Sequence, residues 1–147
     1  MPNLLYLAIA ALSGAAMALQ GTVNTALSKV VGTWESTLVV HIIGALASLL
    51  AIIVLGIGFS FFGKLGQVPW YGFLGGILNV AIIFAVVSAM SQIGVGNATT
   101  AIITAQLITA LVIDCTGAFG MKQYSFHYRD LLGVAMLAVG AHILFMD

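Results

Sequence analysis

The sequence predicts an all-α fold: a polytopic membrane protein with five transmembrane helices. Three observations predict it. Of 147 residues, 62% are hydrophobic and 5% charged, and the mean hydropathy is +1.19, whereas soluble domains run at about 45–50% apolar and about 25% charged. The charges are spaced so that long stretches carry none, from Pro2 to Ser28 and again between Lys64 and Asp114, and a span needs about 20 such residues. Aromatic and basic residues gather where the stretches end, at Trp34, at Trp70 with Tyr71, and from Lys122 to Arg129, as they do at membrane–water interfaces.

Almost nothing remains between the apolar runs, so residues 1–147 are read as a single transmembrane domain in a bacterial inner membrane, with the lipid bilayer as solvent. Zero net charge offers no bulk attraction to nucleic acid. Cys115 has no second cysteine to pair with and reads as a small packing residue. No Ser/His/Asp, metal-ligand or paired-carboxylate constellation occurs at a useful spacing, so no enzyme activity, metal or cofactor is expected.

The first span is placed at about residues 4–28. A cleaved signal peptide is its rival, but the run lacks a basic n-region and exceeds the usual apolar length of about 7–15 residues. Ser13, Gly14, Met17, Gln20, Gly21, Asn24 and Ser28 recur at three- and four-residue steps, one stripe of a helix. Gln20 and Asn24 lead it, with two readings open: hydrogen bonding between helices, or contact with a substrate.

A connector carrying Lys29, Gly32, Trp34 and Glu35 precedes a second span at about 36–62, longer than a bilayer needs, so that tilt or a frayed end is expected. Gly44 and Ser48 make a small-xxx-small pair on the face of His41. His41 reads either as a proton partner for Asp114 or as a packed or interfacial histidine. The third span, about 70–91, opens with Gly72, Gly76 and Asn79, and Gly72-xxx-Gly76 again permits a tight crossing. Gly94 and Gly96 break the long uncharged stretch before a fourth span at about 97–119. On it Thr99, Gln106 and Gly117 share the side of Asp114. An acid in a span costs about 2.5–3.5 kcal/mol at helix centre and needs a partner, a cavity or a substrate. Asp114 is therefore a candidate proton site, the alternative being an interfacial aspartate. The fifth span, about 130–146, is short, with Gly133 and Gly140 on one face.

Five spans place Lys64, Lys122 and Arg129 on the side of the N-terminus and Lys29 alone opposite, which favours a cytoplasmic N-terminus by a narrow margin. So small a bias lets copies insert both ways. Two antiparallel copies rebuild the inverted repeats of secondary transporters.

Gln20 and Asn24, then PWYGFLGG (Pro69 to Gly76), IGVGNA (Ile93 to Ala98) and QLITALVIDCTGAFG (Gln106 to Gly120), resemble the five-helix YdcZ-like family of the drug/metabolite transporter (EamA-like) superfamily. The resemblance covers essentially the whole chain. It departs at Cys115, where the family often has histidine, and at Ala105, where it often has glycine. It implies a half-sized, drug/metabolite-transporter-like protein that pairs as an antiparallel homodimer, and supplies no substrate.

The expected function is therefore a secondary transporter of a small polar metabolite or organic cation. Its cavity would be lined by Gln20, Asn24, Asn79, Thr99 and Gln106, with Asp114 and His41 as proton-coupling candidates. Gly14, Gly44, Gly72, Gly76, Gly117, Gly133 and Gly140 are expected at packing faces. A small dual-topology channel and an assembly subunit without transport are the alternatives; no charged ring or carbonyl filter favours the channel.

Overall fold

The computed structural model describes residues 3–144. Among them are five α-helices and no strand: α1 (Leu4–Val31), α2 (Thr33–Val54), α3 (Leu74–Ile93), α4 (Val95–Thr116) and α5 (Tyr128–Leu144). Four stretches, Leu4–Val31, Thr33–Val54, Trp70–Ile93 and Val95–Thr116, are long and apolar enough to cross a membrane. This is a polytopic, all-helical membrane protein. α5 has 17 residues, about 26 Å at 1.5 Å per residue against a hydrocarbon core of about 30 Å. The helices fall into two compact units, Met1–Ser91 and Gln92–Asp147, the boundary lying in the last turn of α3.

In the first unit α1 begins at Asn3, whose side chain accepts a hydrogen bond from the Leu5 N–H at 3.1 Å. α1 and α2 pack as a hairpin joined by one residue, Gly32, at φ 100°, ψ 158°, a conformation open mainly to glycine. The expected connector over 29–35 is thus corrected. Lys29 stays in the last turn of α1 and Glu35 in the first turn of α2, where each sign suits the helix dipole and lets both helices run on.

The second helix also ends earlier than expected, at Val54 rather than near Phe62. Gly56 at φ 64° and Gly58 at φ 72° turn the chain out of the helix, and a 3-10 segment, Ser60–Gln67, follows. Apolar side chains continue past Val54, but composition does not report the positive φ angles that end the helix. A further 3-10 turn, Trp70–Phe73, precedes α3. Gly72 belongs to that turn and Gly76 to α3, so the two glycines do not share one α-helical face.

The interior of this unit is polar as much as apolar. Ile83, Val87 and Met90 of α3 are buried together with Asn24, Thr25, Ser36 and Thr37, while Leu12, Leu46 and Ile82 point outward. Lipid tails are as apolar as leucine, so helices in a bilayer associate through close packing and hydrogen bonds instead. Gly21 supplies the close approach, with Met90 and Val86 over its Cα. Trp34 stacks on Phe84 at 4.2 Å between ring centroids, a tie between α2 and α3 in addition to its expected interfacial place.

In the second unit α4 starts after Gly94 at φ 82°, ψ 164°. It stops at Thr116, short of the expected 119, because Gly117 turns left-handed at φ 65° while its N–H reaches the Ile113 carbonyl at 2.8 Å. Gly117 therefore serves as a helix terminus. The following segment folds back: the Tyr124 N–H donates to the Asp114 carbonyl and the Gln123 side chain to the Cys115 carbonyl, both at 2.8 Å. The Asp130 carboxylate accepts from the His127 N–H at 2.9 Å, satisfying one of the free donors at the start of α5. α5 packs on α4. Met146, the expected end of the fifth span, lies outside the described residues.

Candidate functional site

The polar groups of the first unit form a row. Ser36 is fully buried and its hydroxyl donates to the Asn24 carbonyl at 3.1 Å, crossing from α2 to α1. One residue on, Thr37 is 2% exposed, with its hydroxyl donating to the Thr33 carbonyl. The Thr37 carbonyl in turn meets Nδ1 of His41 at 2.7 Å, one turn further along α2. The row ends on α3, where the Asn79 Nδ2 lies 3.1 Å from His41 Nε2. His41 is half-buried and Asn79 exposed on its unit. The row thus runs from a closed interior to an open edge.

The chemistry of the partners fixes the ring. A carbonyl only accepts, so Nδ1 carries a proton; in the neutral ring Nε2 then holds a lone pair, which accepts from the Asn79 amide. Asn24 is 6% exposed, beside the Ser36 bond to its own carbonyl. Gln20 is exposed on α1, so the structure separates the two amides that the stripe grouped.

The second unit holds Thr99, Gln106 and Asp114. Thr99 and its neighbour Thr100 have hydroxyl oxygens that are buried without a partner among the described residues. Gln106 is exposed. Asp114 stands in the final turn of α4, closer to the helix end than a span reaching 119 placed it. Its carboxylate borders a cavity of about 470 Å³ together with Cys115, Tyr124, Ser125, His127 and Asp130. Lys122 lies 5.5 Å from the centre of the Tyr124 ring. The cavity offers two carboxylates, an imidazole and hydroxyls at a helix end.

Of the glycines expected at packing faces, Gly14, Gly44, Gly76, Gly133 and Gly140 have nothing of their own unit within 4 Å of the place a methyl group would take. Within the first unit the close contact is Gly21 instead. Among the described residues no three His, Cys, Asp or Glu side chains are grouped to hold a metal ion. Sequence reasoning missed Ser36 and Thr37, although Thr37 and His41, four apart, mark one polar helix face.

A family model described as "Putative inner membrane exporter, YdcZ" matches residues 5–143. The chain belongs to the YdcZ family. It is 23% identical over 125 residues to the inner membrane protein YdcZ of Escherichia coli strain K12, covering 82% of this chain and 83% of that protein. No solved structure matches it. Membership of the YdcZ family, with four helices fit to cross a bilayer, makes this a multi-pass inner membrane protein with a transporter role.

Proposed function

We propose that the chain is one half of a secondary transporter, a five-span protomer that works as an antiparallel homodimer and moves a small polar metabolite or organic cation across the cytoplasmic membrane. One observation carries the reading: the row from Ser36 and Asn24 to His41 and Asn79 ends on an exposed edge within apolar helices. An imidazole and an amide held toward lipid are costly, so this edge faces a partner or a water-filled cavity. The family's description as an exporter supports outward movement. Lys29, in the last turn of α1, is the one Lys or Arg in α1–α4, so a multivalent anion would find no compensating cation deeper in these helices. Amides both donate and accept, which suits a neutral or zwitterionic solute. Asp114 supplies a counter-charge for a cationic one.

A thermal-stability screen of the purified protein against metabolites and organic cations, followed by flux in proteoliposomes, tests the solute. Saturable, gradient-driven uptake is expected; flux that rises linearly with concentration and needs no gradient would make the protein a channel. For the dimer, a single C-terminal cysteine in a Cys115→Ala background is labelled from each side of whole cells. Both orientations are expected, and one orientation alone at native expression would end the antiparallel reading.

A further inference from the structure

We propose that the His41–Asn79 pair is a binding site for one proton, in which the proton enters at Nε2 and the Asn79 amide turns over to receive it. This rests on the transporter reading only for its use in coupling. His41 lies eight residues into α2, about 12 Å along the helix, away from both helix ends. Its Nδ1 is committed to the Thr37 carbonyl at 2.7 Å, which leaves Nε2 as the position that gains or loses the proton. In the neutral ring Nε2 accepts from the Asn79 NH₂ at 3.1 Å. In the imidazolium both nitrogens donate, and the same NH₂ would confront an N–H. Turning the Asn79 amide by half a rotation brings its oxygen to Nε2 and restores the hydrogen bond. An amide carries both a donor and an acceptor, so it serves both ring states without moving its backbone. A leucine there would serve neither, and a lysine only the neutral ring.

The surroundings leave the ring without a fixed counter-ion. α1 contributes Tyr6 and Lys29, α2 contributes Glu35 six residues before His41, and α3 carries no charged side chain, with Tyr71 in the 3-10 turn ahead of it. Among the described residues none of the charged groups has a hydrogen bond or ion pair to the ring. Loading a proton thus places an unbalanced positive charge at the open edge of the polar row. In a dimer this edge would alternate between admitting a cation and repelling it.

Ring ¹⁵N spectroscopy of histidine- and asparagine-labelled protein, in the His127→Gln/His142→Gln variant that leaves His41 as the one imidazole, tests the site. At the alkaline end the Nδ1–H tautomer is expected, as the Thr37 carbonyl requires. As the sample is acidified, one protonation at Nε2 should be mirrored by the Asn79 side-chain amide signal with the same midpoint. A neutral ring in the Nε2–H tautomer overturns the proposal, as does an Asn79 signal that ignores the titration. Wild-type protein that fails to transport in vesicles, while the variant shows this titration, would remove the transporter reading and keep the proton site.

Discussion

Met90 of α3 lies directly over Gly21 of α1: a methyl group on Gly21 would come within 2.7 Å of both the Met90 sulfur and its terminal carbon. The contact is between a backbone and the far end of a flexible side chain. Gly21→Ala should therefore be mild, since Met90 can swing aside. Gly21→Leu should destabilise by about 1–3 kcal/mol through overpacking, and Met90→Ala should recover much of that loss. Unfolding in detergent measures all three; a Gly21→Leu protein as stable as wild type would show that α1 and α3 do not meet here.

Ser36→Ala removes the hydroxyl that joins α2 to the Asn24 carbonyl. Hydrogen bonds between membrane helices are worth about 0.6 kcal/mol on average and rarely above about 1.7. A small loss within that range is expected from the same unfolding measurement, with Ser36→Thr harsher because the residue is completely enclosed.

Gly32→Ala meets two obstacles. Its φ of 100° is one that side chains rarely adopt, and the Glu35 carboxylate folds over the place a Cβ would occupy. A cost of about 1–3 kcal/mol follows from the backbone alone. Gly32→Ala combined with Glu35→Ala, which clears the side chain from that place, keeps most of the penalty; full recovery in the double variant would assign the effect to the Glu35 side chain instead.

Asp114→Asn keeps the shape of the α4 end and removes its charge. For an organic cation in proteoliposomes, KM should rise about threefold to tenfold, on the order of 1 kcal/mol for an exposed charge, with kcat little changed. Gln106→Ala should weaken uptake of a neutral or zwitterionic solute more than Leu107→Ala does. A collapse of kcat at constant KM in Asp114→Asn would move that carboxylate from capture to the transport step itself.

Charge-free runs located the helices because a bilayer forces the backbone to satisfy its own hydrogen bonds wherever the side chains are apolar. They could not locate helix ends so well. Ile57 and Phe59 read as more span, yet Gly56 and Gly58 beside them turn the backbone away. Gly32 was visible, but that one residue would do the work of a connector depends on its positive φ, which no composition reports. The polar stripe of α1 grouped Asn24 with Gln20, which is exposed where Asn24 is buried. His41 and Asn79 were each noticed singly. Their pairing spans 38 positions and exists only once α2 and α3 are laid together, so local periodicity cannot show it.

The one-residue joint at Gly32 also bears on how the protein is made. A helix pair without an intervening loop has no polar segment to drag through the bilayer, only Lys29 and Glu35, of opposite sign and in adjoining turns. α1 and α2 can therefore leave the insertion machinery as one preassembled wedge. In the first unit an added epitope belongs between Leu55 and Pro69, ahead of the stretch Trp70–Ile93.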